Sequence, residues 1–593
     1  MLLTLTTPTV YAPQAGVGVG PVGFAPAGLT GGAGAGNIYQ YGTSADYVMG
    51  LKNWFGSVIH SFTLDMNGTT IIQQTPFINM VNCFRLLTSL SYNDLITQGS
   101  VIGFFPDDTS SWSVNMAPAN GGGGATPNGG GVCNNTLFPA QTLMNPDLAT
   151  ARILNNYNSD SGNYGLVRRI QNINFDPDGV AGVSLGANGA VTVSTKYGQL
   201  LSGSSTQVNA AYVPASGGST SAALTQLWIS FISTKRGAST SAPLVAGVLQ
   251  VTVMSTIYLK HIHNFFAMIP LLKGTFFKMT AFLNNASTVF TIASKITDLT
   301  GATFTQPLGA SVAGQMTLNS VAVPVGGVNP LMISSAAIGQ GASSLGNAQY
   351  TASLSVGSRC LNAAQANLAG VGQGACSPSI YLYVPAYTFN PVFESAYLSS
   401  PVKSIKYSDY YQYQVLGVGA GQNFNNLITN GIANIKSVLI MPYYSASLAT
   451  GAQASGLPAG VPVYQSPFDP AGAACTSPLC LFNNFNVVIS GQNAIYNTEQ
   501  RAFEHFNDWV KGCNSVNGDL TDGLTSGLLG FDSFLREQCF YYTPVGRQLP
   551  VEEQVPKSVQ IVGQNQSNFA LDLFVFIEYG VAVDVDALTG ARV

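Results

Sequence analysis

Two stretches of this chain are written to the same plan, and that plan constrains the fold more than any other feature. Leu481–Val510 (LFNNFNVVISGQNAIYNTEQRAFEHFNDWV) reads as a strand, a tight turn, a second extended piece and a helix. Phe485, Val487 and Ile489 alternate at period two, the pattern of a half-buried strand. Ser490-Gly491 is a turn, because glycine takes positive φ without penalty. Asn497 is placed to cap a helix, with Gln500 at the capping-box position, and Ala502, Phe503, Phe506, Trp509 and Val510 recur on one helical face. Near the other end of the chain, Phe62–Gly68 is a strand closing on an Asn-Gly turn, followed by Ile71 and Ile72. Thr75-Pro76 then reads as a helix start and Phe77, Met80, Val81 and Phe84 as an apolar stripe. Gly68 falls in register with Gly491, and Thr75 with Thr498. Residue identity is low, so the repeat is one of structural grammar, and it predicts two copies of one β-domain.

A chain of 593 residues is too long for one core and fits two large domains with insertions. Charged residues make up 8%, about a third of the usual share. Abundant Val, Ile, Thr, Tyr and Phe at such low charge argue against disorder and for an all-β protein with long loops, much of whose polar but uncharged surface is covered by neighbours. Strands separated by Gly-rich loops, without helical crossovers at regular intervals, point to sandwiches or barrels. The expected divisions are an extended, uncharged arm over 1–36 lying along a neighbouring subunit, a first domain over 37–300, an inserted connection over 301–375 and a second domain over 376–593. Further strands are expected at Ser91–Asp108, Leu227–Thr234, Val245–Leu259, Phe276–Leu283, Ser379–Phe389, Val402–Val418, Ile435–Tyr443, Ser558–Gln564 and Leu571–Asp584. One helix is expected in each half, with helical features also at Asp519–Phe540.

The residues that carry chemistry do not converge. His261 and His263 would put two imidazoles on one strand face, but no Cys, Asp or Glu nearby completes a ligand set, so both are read as core or interface residues. His505 and Asp508 share a helix whose neighbours look structural. Glu552-Glu553 is an exposed pair on a loop, not two carboxylates in distinct environments. Gly18–Gly23 matches GxGxxG, yet Pro21 sits inside it and no helix follows. There is no P-loop or HExxH motif. No catalytic, cofactor-binding or metal-binding residue is assigned, no cofactor is expected, and the chain is read as not an enzyme.

Of the eight cysteines, Cys83, Cys133, Cys513 and Cys539 read as buried thiols, while Cys360/Cys376 and Cys475/Cys480 are spaced to bridge loops in an oxidising setting. Sequons at Asn67, Asn134, Asn285 and Asn565 are read as chance, because the N-terminus lacks the basic region and apolar core of a signal peptide. The most apolar run, Pro243–Leu259, is broken by Gln250, Thr252, Ser255 and Thr256 and does not read as a membrane span. Net charge is −4 and no basic run occurs. Arg168-Arg169, Lys260, Lys273 and Lys278 are scattered, so tight, direct nucleic-acid binding is not expected.

Ser379–Tyr444, Phe485–Gly491 with its following helix, Pro556–Tyr579, Phe62–Leu87 and the His261–Lys273 stretch together resemble the double jelly-roll major capsid proteins of virophages and polinton-like viruses. The resemblance covers most of the chain outside the Gly-rich loops. It implies two eight-stranded jelly rolls in tandem, a homotrimeric pseudo-hexameric capsomer, and an icosahedral virion shell completed by neighbouring capsomers, penton or vertex proteins and minor capsid proteins. Loops at 115–135, 302–349 and 447–474 are where outer towers are expected. The competing expectations are a secreted carbohydrate-binding β-sandwich such as a lectin or adhesin, which wants a signal peptide, and a glycosidase, which wants two convergent carboxylates.

Overall fold

The computed structural model describes residues 2–6, 48–107, 169, 173–174, 248–253, 256–292, 316–323, 326–334, 348–355, 381–445, 462–467, 471–472, 474–477, 479–511, 528–536, 538–545, 549–567 and 570–593. The Gly18–Gly23 motif, Leu227–Thr234, the 115–135 loop, Arg168, Asn134, and Cys133, Cys360, Cys376 and Cys513 lie outside the described residues, as do most of the 302–349 and 447–474 loops.

The first half contributes strands β1 (Leu2–Thr6), β2 (Val48–Leu51), β3 (Ile59–Met66), β4 (Thr69–Ile72), β5 (Ile173–Asn174), β6 (Val248–Val253), β7 (Phe277–Leu283) and β8 (Ala286–Ile292). After these come β9 (Met316–Ala322), β10 (Leu331–Ser334) and β11 (Ala348–Ser355). The second half holds β12 (Val402–Val418), β13 (Asn423–Ile432), β14 (Ile435–Tyr444), β15 (Phe482–Ile489), β16 (Gln492–Asn493), β17 (Tyr541–Pro544), β18 (Lys557–Asn565) and β19 (Leu571–Asp586).

These last eight strands form two four-stranded sheets, ordered β12-β19-β14-β17 and β13-β18-β15-β16. Counted from one to eight within the unit, the orders are 1-8-3-6 and 2-7-4-5. First pairs with last and second with next-to-last, which is the winding of a jelly roll. The register is long and antiparallel: β12 runs beside β19 from Val402↔Asp586 to Val418↔Leu571, with one bulge after Val415. β19 also pairs with β14 on its other side, so it is buried at the centre of its sheet, and Leu571, Leu573, Phe574, Val575, Phe576 and Ile577 are all buried.

The first half repeats part of this plan. Its three-stranded sheet, β4-β3-β7, matches the β16-β15-β18 part of the second unit strand for strand. β3 and β4 are joined by Asn67-Gly68 at φ 48° and 84°; β15 and β16 are joined by Ser490-Gly491 at φ 49° and 81°. Two consecutive positive φ values across a two-residue loop match the sense of the strand twist, which is why Asn-Gly and Ser-Gly stand there. The Gly68–Gly491 register read from the sequence is thus a real structural equivalence. Beside this sheet, β10 pairs with β2, and a six-stranded sheet runs β5-β6-β1-β11-β8-β9. Leu2–Thr6, at the start of the expected arm, pairs within the chain with β6 and β11.

The helices depart from expectation in instructive ways. Helix α1 (Ile78–Ser89) buries every residue except Arg85 and Ser89, with Met80, Val81, Cys83 and Phe84 fully enclosed. Thr75 does not cap it. Its hydroxyl donates to the Tyr410 carbonyl of the second unit (2.8 Å), and Phe77 occupies the cap position at φ 58°. A second helix, α2 (Tyr92–Ile102), replaces the strand expected at Ser91–Asp108. Ser91 Oγ accepts the Asp94 N–H (3.1 Å), Asp94 accepts the Ser91 N–H (3.0 Å), and Gly103 ends the helix at φ 66°. That reciprocal cap overrides a weak alternation.

Ser379–Phe389 is not a strand either: 381–390 carries no regular secondary structure, and helix α3 (Pro391–Leu398) follows, with Asn390 as its cap. The helix after the second hairpin, α4 (Ala502–His505), starts after the expected Asn497–Gln500 cap, and a further helix at Phe531–Arg536 falls within the helical stretch expected at 519–540. The entry of α4 is fixed by Glu504, which accepts the Gln500 N–H (2.9 Å). α4 widens into a π-helix over Phe506–Lys511. Phe506 is inside as expected, but Phe503 is 55% exposed and His505 takes the inner place.

One buried cluster runs through both units. Phe77 meets Phe574 edge-on (4.9 Å between centroids), Phe84 meets Phe540 (5.0 Å), and Phe265 meets Tyr407 (5.3 Å). The Tyr407 hydroxyl also donates to the Ile71 carbonyl. The two units therefore share a core along a seam made by α1 on one side and the β12-β19-β14-β17 sheet on the other.

Candidate assembly surface

The residues that could carry chemistry are buried in structural roles or dispersed on the surface. His261 stands in, and His263 just beyond, a helical turn (Leu259–Ile262), not a strand. His263 Nδ1 accepts the Phe265 N–H (3.2 Å), and its Nε2 lies 3.6 Å from Asp409 across the seam. Burial, aided by the charges of Lys260 and Arg85, pushes the His261 pKa down to about 4; burial alone takes His60 to about 4. His505 is enclosed. Its Nδ1 lies 2.7 Å from the Glu499 carboxylate and its Nε2 accepts the Tyr542 N–H (2.8 Å), which fixes the neutral tautomer with the proton on Nδ1. Asp508 and the Glu552-Glu553 pair are exposed, the latter on a helical turn (Pro550–Glu553). Among the described residues no group of three His, Cys, Asp or Glu is placed to hold a metal.

The basic side chains are similarly occupied. Arg169 is enclosed, bonded to the Leu51 and Phe105 carbonyls and paired with buried Asp107. Lys52 is enclosed and donates to the Ser466 (2.7 Å) and Ala471 (3.2 Å) carbonyls. Lys273 pairs with Glu394, Lys260 lies over the Tyr258 ring, and Lys278 is exposed on β7. Cys83, Cys475, Cys480 and Cys539 are buried thiols, so Cys475 and Cys480 do not form the bridge their spacing allows, and burial pushes the thiols of Cys83, Cys480 and Cys539 well up, away from the reactive thiolate. Asn565 is enclosed, and the Asn67 side chain is held at both ends, by the Phe276 N–H and the Thr589 carbonyl. Among the described residues no helix is long and apolar enough to cross a membrane.

What stands out instead is a surface. Tyr381–Leu398 lies exposed along its length, and α3 buries none of its residues. Tyr383 is 87% exposed and Val392 78%. The rings of Tyr387, Phe389, Phe393 and Tyr397 follow one another as a ladder, at 6.2, 5.0 and 6.3 Å between centroids. Lys403 closes the ladder, its ammonium 4.1 Å from the Tyr397 ring centroid. This strap is fastened to the first unit by the Lys273–Glu394 ion pair (2.6 Å) and by the Tyr397 hydroxyl, which donates to the Leu271 carbonyl (3.1 Å).

The chain's last residues meet it at the same end. The Ala587 N–H donates to Pro401 (2.7 Å), and the Lys273 N–H donates to Ala587 (2.8 Å). Met268, Leu271, Phe276 and Leu588 add exposed apolar surface there. Sequence reading missed this region by taking Ser379–Phe389 as a strand. The signal available was Asn390-Pro391, a helix cap with proline at the first position, and Pro385 inside the supposed strand.

Comparison with known proteins adds names at low similarity. No protein family model matches the chain, and no curated protein matches it. Among solved structures, the Faustovirus major capsid protein aligns at 9% identity and TM-score 0.32, covering 98% of this chain and 84% of that one. The mavirus major capsid protein aligns at 7% identity and TM-score 0.25, covering 100% of this chain and 82% of that one. A PBCV-1 virus capsid chain aligns at 10% identity and TM-score 0.21 over 41% of this chain, which spans 63% of that chain's length. Scores this low do not establish a shared fold; the jelly-roll assignment rests on the strand order of the second unit.

Proposed function

We propose that this chain is a double jelly-roll major capsid protein, the repeating subunit of an icosahedral virion shell, assembling as a pseudo-hexameric homotrimer. The observation that carries the reading is the second unit's complete jelly roll, fused through a shared core to a first unit whose β4-β3-β7 sheet and hairpin turn repeat β16-β15-β18. A tandem pair of β-units held rigidly side by side gives each copy two of six similar edges, so that three copies make a near-hexagonal tile. The sequence resemblance to capsid proteins of virophages and polinton-like viruses supports the same reading. The 8% charge content suits a subunit whose flanks are covered by copies of itself, by vertex proteins and by minor shell proteins. Enclosure of Arg169 and Lys52 leaves fewer cations for phosphate, so genome contact falls to other proteins.

The test is the mass of the purified full chain by size-exclusion chromatography with light scattering, followed by negative-stain imaging. The expected result is three copies per particle with a hexagonal outline. A monodisperse monomer at tens of micromolar overturns the proposal.

A further inference from the structure

The geometry points to the strap Tyr381–Leu398 as a copy-to-copy contact, completed by a second copy of this chain; this rests on the trimer reading above and names the surface that makes it. The first observation concerns the backbone. Residues 381–389 form no helix or strand and make no backbone hydrogen bond to any described residue, and the Tyr381–Tyr383 and Tyr387–Phe389 rings meet at i, i+2 as side chains on one side of an extended chain do. Holding a residue in one conformation costs about 1–2 kcal/mol of chain entropy, and these residues recover little of it within their own chain. Extended backbone with free N–H and C=O groups is what adds to a sheet edge in another molecule.

The second observation concerns the side chains. Tyr381, Leu382, Tyr383, Val384, Val392 and Phe393 are all more than half exposed, a run of large apolar groups unlike the single exposed apolar residues of an ordinary surface. Exposed aromatic groups at such density are the composition of an interface centre. The third is that α3 is fastened with Val392 and Phe393 facing outward. The Lys273–Glu394 pair, the Tyr397–Leu271 bond and Lys403 fasten α3 across the seam in its exposed position.

Charge selects the partner. From Tyr381 to Val402 the sequence holds one charged residue, Glu394, already taken by Lys273. The strap has no cation for nucleic acid or for an anionic bilayer, and no free carboxylate for a basic protein. Its complement is an uncharged, partly apolar protein surface, which this chain supplies in quantity. Because the strap would meet a different surface on its neighbour, the contact is head-to-tail, the kind that closes into a ring.

The experiment uses the full chain and a double variant, Tyr387→Asp with Phe393→Asp. Both side chains are exposed, so the variant keeps the far-ultraviolet circular dichroism of the wild type. The expected result is a trimeric wild type and a variant whose association is at least about 30-fold weaker, the effect of losing interface hot spots. Hydrogen–deuterium exchange on the wild type gives an independent readout: amides of 381–389 should be protected in the trimer and exchange freely after dilution to monomer. A variant as trimeric as the wild type, or strap amides equally fast in trimer and monomer, overturns this inference and leaves the capsid reading standing. A monomeric wild type overturns both.

Discussion

The two hairpin-and-helix units occupy equivalent places in the fold and yet end differently. Both hairpins turn through two residues at nearly the same pair of positive φ values. In the first unit the following helix runs twelve residues and is almost wholly enclosed. In the second it makes one α-turn, widens into a π-helix and leaves Phe503 outside. The turns agree because a two-residue loop is decided by its own residues and the strand twist. The helices disagree because a helix is decided by what it lies against. α1 is wedged between its own hairpin and the neighbouring unit's sheet, whereas the second helix packs through His505 on Phe485 and Tyr541 and through Phe506 on Phe531 and Phe534, and leaves the Phe503 flank half open to solvent.

That difference has measurable size. Phe84→Ala, at the enclosed α1–Phe540 contact, should destabilise the chain by about 3–5 kcal/mol in denaturant unfolding. Phe503→Ala, at the equivalent helix, should change it by about 0.5 kcal/mol or less beyond loss of its edge contact with Phe531. Equal losses would mean the second helix is also walled on both sides.

The buried polar contacts should separate the units in the same way. Asp107→Ala strands the Arg169 guanidinium in the core of the first unit and should cost about 3–5 kcal/mol. Glu499→Ala leaves the His505 Nδ1–H without its partner and should cost about 1–3 kcal/mol. A larger loss at Glu499 than at Asp107 would reverse the ranking of the two units.

Acid should act on the first unit through His60. Its pKa falls from 6.5 in the unfolded chain to about 4 in the fold, because burial disfavours the charged ring. The unfolded state therefore takes up a proton first as pH falls. The stability due to keeping this ring neutral is complete above about pH 6.5 and is lost progressively towards pH 4, by about 1–3 kcal/mol after allowance for solvent screening. His60→Gln should flatten the melting-temperature profile across that window; an unchanged profile would assign the acid response elsewhere. The shared feature has its own test: Gly68→Ala and Gly491→Ala should each cost about 1–2 kcal/mol, and by similar amounts, since each forces an alanine into the left-handed region with open space around it.

Legibility in the sequence followed the range of the forces involved. The hairpins, β7, β12, β14, β18 and β19 were readable because period-two alternation and turn glycines act over a few residues. The apolar stripe of α1 was readable for the same reason. Thr75 was misread because its hydroxyl is claimed by Tyr410, 335 positions away in the chain. Phe503 was misread because Ala502, His505 and Phe506, at i, i+3 and i+4, make the inner face and leave Phe503 on its flank. Residues 92–102 were misread although Ser91 and Asp94 spell a reciprocal cap, a local signal that outweighed the strand pattern. The strap was the costliest miss: apolar and β-like in composition, it has no sheet within its own chain, so nothing in its residues distinguishes it from a core strand except Pro385 and the Asn390-Pro391 cap.

The place of β19 has a consequence for synthesis. This strand, Leu571–Asp586, is the middle rail of its sheet, and β12 has it as its one partner there. α1, made long before, rests on that same sheet through Phe77 and Phe574. A nascent chain leaving the ribosome thus carries a first half with an uncovered apolar helix until β19 has emerged. Closure of this sheet waits for β19, is slow because its decisive pairings are far apart in the chain, and leaves the first half open to aggregation while the second half is made. Chaperones that hold long β-rich chains should raise the yield of this protein, and truncation before β19 should give insoluble product, not a smaller folded one.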